Sequence, residues 1–410
     1  MPKIIFFNIP AHGHVNPSIP LVKELVRRGE RVIYYCTETY RAKIESSGAE
    51  FRSYGAEYDF APGQDAVTPF RAMSLILGAG EGVIAKVIDP VRAEKPDYIL
   101  YDSMCVWGKQ IAHIIGVAAV CSCSIFLVHS KNLRDVPLDT RFQLQMTMGL
   151  PTLLASLWRY SRIALRLKRK YGVSSPFFAN FFANPGDMTL VYTSRYFQAG
   201  ADKFDDSFKF VGPLIAPRND PHDPQTSEVF AVFATSEVLK KPLLYISLGT
   251  LFNERVDFFR ACIEAFNDDR YNVIMSIGNK IDPATLGLIP NNFIVRPHVP
   301  QLEVLQRADL FITHGGMNSV SEGCWYGVPM IVLPQVGDQV VIAGRIAQLG
   351  AAEKLTDITP RAIRALAEKV LSNSNYKVQS EKIGQTLREA GGVSRAVEEI
   401  QDFVKGIYLT

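Results

Sequence analysis

Residues 3–35 read KIIFFNIPAHGHVNPSIPLVKELVRRGERVIYY, and the fold is decided there. Residues 4–7 form a short continuous apolar run, the mark of a strand buried on both faces of a parallel sheet. A turn-rich segment follows, from Ile9 to Asn16. Asn16 is placed to cap a helix that Pro17 opens, since proline suits the first helical position. Ile19, Val22, Leu25 and Val26 then share one helical face. Gly29 ends that helix, and residues 31–35 return to an apolar run. Strand, helix and strand make a βαβ unit.

The same rhythm continues outward. Strands are expected at 98–101, 118–122 and 188–192, with a helix at 106–114. Residues 125–185 interrupt it with helical stretches, a basic run and an aromatic patch. Residues 216–227, rich in proline and polar turn residues, read as a linker. Beyond them strands are expected at 243–247, 273–276, 293–296, 310–313 and 330–333, with helices between. Alternating strands and helices predict an α/β protein with doubly wound parallel sheets. The expected domains are 1–215 and 228–390, with a cleft between the carboxyl ends of their strands. A last helix within 391–410 is expected to pack across both.

Composition narrows the function. Hydrophobic residues make up 47% of the 410 and charged residues 21%, as in globular proteins. A net charge of +3, from 44 basic and 41 acidic residues, provides no field for nucleic acid. The six cysteines form no C-x-x-C pair and sit mostly in apolar runs, so they read as reduced, buried thiols. No stretch reaches the roughly 18 apolar residues that span a bilayer, and Asn8 and Pro10 break the first apolar run. The expected location is the cytoplasm.

The densest chemistry lies between residues 296 and 339. It comprises His298-Val299-Pro300-Gln301, the strand at 310–313, His314-Gly315-Gly316-Met317-Asn318-Ser319, then Glu322, Gly327, Pro329, Pro334 and Asp338-Gln339. A strand ends at Thr313 and a helix is expected to start near Ser319. Two glycines between them let backbone approach a ligand closely. Exposed amides and the helix dipole favour an anion, and His314, Asn318 and Ser319 add donors. A pyrophosphate suits that set. A purely structural reading also exists, because Ser319 and Glu322 make an S-x-x-E capping box and the glycines make a turn. It leaves His314, Asn318 and Asp338-Gln339 without a role.

This segment resembles the donor-site signature of the family 1 glycosyltransferases. These are UDP-sugar-dependent enzymes of the GT-B fold, with two facing Rossmann-like domains. The likeness is greatest to bacterial macrolide and flavonoid glycosyltransferases and extends to residues 10–17, Pro-Ala-His-Gly-His-Val-Asn-Pro. It implies that His314, Gly316, Asn318 and Ser319 hold the diphosphate and that Glu322 holds the ribose. Val299 and Gln301 would lie against base and ribose, and Asp338 and Gln339 would bind the sugar. Ser247, Gly249 and Thr250 would approach the phosphates. The family usually has Trp where this chain has His298, which leaves less ring to stack on the base.

A hydroxyl nucleophile needs a base that titrates near neutrality, usually histidine. His12 and His14 lie in the loop after the first strand, and Asp102 follows the strand at 98–101. The resemblance makes His14 the general base, Asp102 its orienting carboxylate and His12 a supporting residue. His113, His129 and His222 look structural. No D-x-D motif and no His/Cys/Asp cluster with metal spacing occurs, so no metal or other cofactor is expected. The expected partners are a UDP-sugar, with glucose as the expected sugar, and a small hydroxylated apolar acceptor. The family builds its acceptor pocket from residues 60–85 and 125–182, where Phe60, Phe70, Phe126, Phe178 and Phe182 are candidates. The basic run at 162–170 reads as a solvated face, with a membrane-surface contact as the minority reading. The implied reaction is inverting sugar transfer. The competing functions are a lipid or cell-wall glycosyltransferase, and an epimerase or auxiliary protein on the same fold.

Overall fold

The computed structural model describes residues 2–58, 69–137, 150–215, 241–250, 253–335 and 337–408. The chain divides into two compact units, residues 1–216 with 389–410, and residues 217–388.

The first unit is built on a seven-stranded sheet. Its strands are β1 (Lys3–Phe7), β2 (Arg31–Cys36), β3 (Glu50–Ser53), β4 (Tyr98–Asp102), β5 (Ala118–Cys123), β6 (Met188–Val191) and β7 (Phe208–Phe210). They run in the order β3-β2-β1-β4-β5-β6-β7, and every pairing is parallel. The order reverses between β1 and β4. That reversal opens a crevice at the carboxyl ends of the strands, where doubly wound sheets bind ligands.

Helices cover both faces. On one, α3 (Pro69–Glu94), α4 (Val106–Ile115) and α5 (Leu150–Tyr171) share a core around Trp107, whose indole N–H donates to the Tyr54 hydroxyl at 3.3 Å. On the other, α1 (His12–Arg27) and α2 (Arg41–Glu45) pack with the last helix of the chain, α12 (Gly392–Tyr408). The last helix, α12, is part of the first unit. It buries Ala396, Val397 and Ile400 beside Val22 and Leu25 of α1.

Helix α1 corrects the sequence reading. It starts at His12, capped by Ala11, and contains Pro17 and Pro20. Proline inside a helix removes an N–H donor and crowds the carbonyl four residues earlier. Burial of Val15, Ser18, Leu21, Val22 and Leu25 against the sheet outweighs that local penalty. His14 therefore lies in the first helical turn and not in a loop ahead of it.

The second unit repeats the plan with six parallel strands. They are β8 (Leu243–Ser247), β9 (Asn272–Ser276), β10 (Phe293–Arg296), β11 (Leu310–Thr313), β12 (Met330–Val332) and β13 (Ala352–Lys354), in the order β10-β9-β8-β11-β12-β13. Its reversal lies between β8 and β11. Helices α6 (Val256–Ala265), α7 (Gln301–Leu305), α8 (Met317–Trp325), α9 (Asp338–Gln348), α10 (Pro360–Ser372) and α11 (Asn375–Glu389) accompany the sheet. Among the described residues no helix is long and apolar enough to cross a membrane. All six cysteines are free and buried.

Candidate active site

Each unit gathers its polar residues where its sheet order reverses. In the first, β1 delivers His14 through the start of α1, β4 ends on Asp102, and β5 leads into Ser124. His14 Nδ1 lies 2.8 Å from Asp102 Oδ2. The Asp102 side chain is 1% exposed and that of His14 12%. Asp102 Oδ1 accepts the Met104 N–H at 2.9 Å. The carboxylate is thus held from both sides, and an ionised carboxylate, which only accepts, selects the tautomer with the hydrogen on Nδ1. That tautomer places the ring's basic lone pair on Nε2.

Ser124 is the member that the sequence reading missed. Its hydroxyl is 3.2 Å from His14 Nδ1 and donates to Asp102 Oδ2 at 3.5 Å. Its position just past β5 repeats that of Asp102 at the end of β4, which was the available signal. Behind α1, Asn8 Nδ2 donates to the His14 carbonyl at 3.2 Å and to the Tyr34 hydroxyl at 2.7 Å. Ser18 Oγ lies 2.7 Å from that hydroxyl. This buried network fixes the backbone that carries His14. His12 is exposed and meets Tyr40 edge-on at 5.1 Å.

In the second unit His314 follows β11 and sits between two glycines. A methyl group at Gly249, in the loop after β8, would stand 2.6 Å from the His314 ring; one at Gly316 would stand 2.4 Å away. Gly249 and Gly315 also have positive φ, 76° and 81°. Only glycine gives this clasp its close approach. Burial pushes the imidazole down to about 4, so His314 is neutral at physiological pH.

Helix α8 starts at Met317 with Gly316 as N-cap, and no side chain caps it. Ser319 is the third residue inside the helix, so Ser319 and Glu322 form no capping box. The helix N-terminus, with Asn318 and Ser319 in its first turn, has the character of an anion site. Glu322 has another partner: Gln301 Nε2 donates to its Oε2 at 2.5 Å, and the Tyr245 hydroxyl donates to Gln301 Oε1 at 3.0 Å. Tyr245 is held in turn by stacking on Phe311, with centroids 4.8 Å apart. The relay sets the Glu322 carboxylate in one orientation.

Asp338 opens α9 after Gly337, and the Gln339 amide oxygen accepts the Gln335 N–H at 2.9 Å. His298 and Thr250 are exposed, Val299 is half-buried, and Ser247 ends β8. Among the aromatic candidates, Phe126 is 1% exposed and packs on Phe197, which makes it a core residue. Phe70 opens the half-buried start of α3, and Phe182 packs edge-on against Phe181. Phe60 and the Phe178 side chain lie outside the described residues.

Residues 196–386 match the model of the UDP-glucoronosyl and UDP-glucosyl transferase family. The chain is 33% identical to an uncharacterised UDP-glucosyltransferase, YojK, of Bacillus subtilis, over 99% of this chain and 98% of that protein. The chain belongs to this family. It is an enzyme, a glycosyltransferase. It is 30% identical to the oleandomycin glycosyltransferase of Streptomyces antibioticus, covering 97% of this chain and 90% of that one. The glycosyltransferase also superposes on the crystal structure of CalG4, the calicheamicin glycosyltransferase, with a TM-score of 0.80 and 28% identity over 99% of both chains. Its two parallel-sheet Rossmann-like domains are those of the GT-B glycosyltransferases.

Proposed function

We propose that this glycosyltransferase moves a hexose, glucose first among the candidates, from a UDP-sugar to a hydroxyl of a small apolar natural product, with inversion at the anomeric carbon. The observation that carries the reading is the His14–Asp102 contact of 2.8 Å at the reversal of the first sheet. The relatives that glycosylate oleandomycin and calicheamicin support the acceptor class.

In this reaction the acceptor hydroxyl gives its proton to Nε2 of His14 as its oxygen attacks the anomeric carbon. The bond from that carbon to the diphosphate oxygen breaks, and the electron pair leaves with UDP. Attack comes from the face opposite the leaving group, so configuration inverts. Asp102 holds the tautomer and stabilises the imidazolium, as an orienting carboxylate does in a triad. The diphosphate rests on the α8 N-terminus, with neutral His314 as a hydrogen-bonding partner and Asn318 and Ser319 beside it. Glu322 takes the ribose hydroxyls, and Asp338 and Gln339 take those of the sugar. No metal enters the proposed chemistry.

The test offers UDP-glucose with a panel of hydroxylated aromatics and macrolides. Mass spectrometry reads the products, and NMR reads their anomeric configuration. A β-glucoside from the α-linked donor is expected. An α-glucoside, or turnover of donor to a free epimer without acceptor, would refute the proposal.

A further inference from the structure

Helix α5 carries an outer face opposite the line it buries. Its inner line, Ser156, Tyr160, Ile163 and Leu167, is buried, the last three in the core shared with α3. At about 100° per residue Trp158 points away from that line, and Leu154, Arg162, Leu165 and Arg169 fall within about 40° of it. Trp158 is 63% exposed, Leu154 58% and Leu165 47%. The Arg162 guanidinium lies over the Trp158 ring at 4.5 Å. The helix holds six basic residues and no acidic one. Of these, Arg166 reaches across to Glu81 of α3 in a two-pronged pair at 2.8 and 2.6 Å.

A solvated basic face, as the sequence suggests, does not account for an indole and two leucines on its outermost line. Their complement is a surface that is apolar below and anionic above. An indole rests at the level of lipid headgroups, leucines enter the acyl boundary, and long cationic side chains extend back to phosphates. A second copy of this helix is a poor occupant, because a two-fold contact would set Arg162 and Arg169 of one copy against the same two of the other. We propose that the outer face of α5 seats this glycosyltransferase on an anionic lipid surface.

The test is co-sedimentation of the full chain with vesicles, either phosphatidylcholine alone or with about one-third phosphatidylserine. The enzyme should pellet with the anionic vesicles, stay in solution with the neutral ones, and be released by salt. Each cation near the surface is worth roughly fivefold in partitioning, so Arg162→Gln with Arg169→Gln should weaken binding about 25-fold. Leu154→Ser with Trp158→Ser should abolish it. Unchanged thermal melts would show that both variants fold. Failure of the wild type to pellet, equal binding to neutral vesicles, or variants that bind like the wild type would overturn the proposal. So would a wild-type dimer in sedimentation equilibrium that Leu154→Ser with Trp158→Ser converts to monomer, since the face would then be a protein interface.

Discussion

His14, Asp102 and Ser124 differ in what they contribute, and their variants should differ too. A positioned base contributes about 100- to 10,000-fold. His14→Ala should lose that much kcat towards an aliphatic alcohol and keep its UDP affinity, as calorimetry would show. A partly ionised nitrophenol acceptor should be far less sensitive. Near-normal transfer to the alcohol by His14→Ala would move the base elsewhere, with His12 first in line. Ser124 touches the His14 ring and the Asp102 carboxylate without being the base, and a hydrogen bond to a charged group is worth about 1.5–3 kcal/mol. Ser124→Ala should therefore lower kcat roughly tenfold with KM unchanged, and Ser124→Thr should restore most of it. A matching rise in KM would mean that Ser124 acts on acceptor binding. His314 predicts a pH effect. Its folded value, about 4, is below the ordinary 6.5, so the unfolded chain takes up the proton first. The stability owed to neutral His314 is complete above pH 6.5 and is lost as pH falls towards 4. Urea midpoints of wild type and His314→Gln should converge over that window, whereas parallel curves would contradict the assignment.

At the scale of elements, the donor site depends on two loops and one helix end. Gly249→Ala would place its methyl 2.6 Å from the His314 ring in a backbone of positive φ. Gly316→Ala would crowd the same ring without that backbone strain. Both should weaken UDP binding, by roughly tenfold or more if the ring gives up one hydrogen bond to a charged group. Wild-type affinity in Gly316→Ala, measured by titration calorimetry, would show that the clasp is not needed. Sequence rules misplaced the helix starts that shape these sites. Asn16-Pro17 looks like a cap and first position, and Ser319-x-x-Glu322 looks like a capping box. In both places the helix starts earlier, at His12 and Met317, because burial of its apolar face on the sheet outweighs local capping preference.

Across the whole molecule, α12 ties the end of the chain to the first unit. Ile400 is fully buried in the core that α12 shares with α1, and Gln401 Nε2 donates to Glu30 at 3.3 Å. Ile400→Ala should cost about 2–5 kcal/mol of stability, as in other buried large-to-small changes. A loss below about 1 kcal/mol in urea unfolding would show that α12 is dispensable to that core. The reaction as a whole should survive excess EDTA, since the proposed leaving-group stabilisation comes from the α8 N-terminus and His314. Loss of activity restored by magnesium or manganese would overturn that.

The sequence by itself determined the α/β class, the central strands on either side of residues 216–227 but not the short edge strands β3, β7 and β13, and the residue types that the candidate site needs. Apolar runs bounded by glycine and proline are local signals, and the glycine-rich loop with its histidine is contiguous. Tertiary structure decided which of those residues meet. His14 and Asp102 are 88 positions apart, and Asp102 and Ser124 are 22 apart. They converge because the sheet order puts β4 beside β1 and β5 beside β4, a pairing that no periodicity along the chain encodes. Burial did the rest: it made Phe126 a core residue, kept His314 neutral, and turned Trp158 outward from α5.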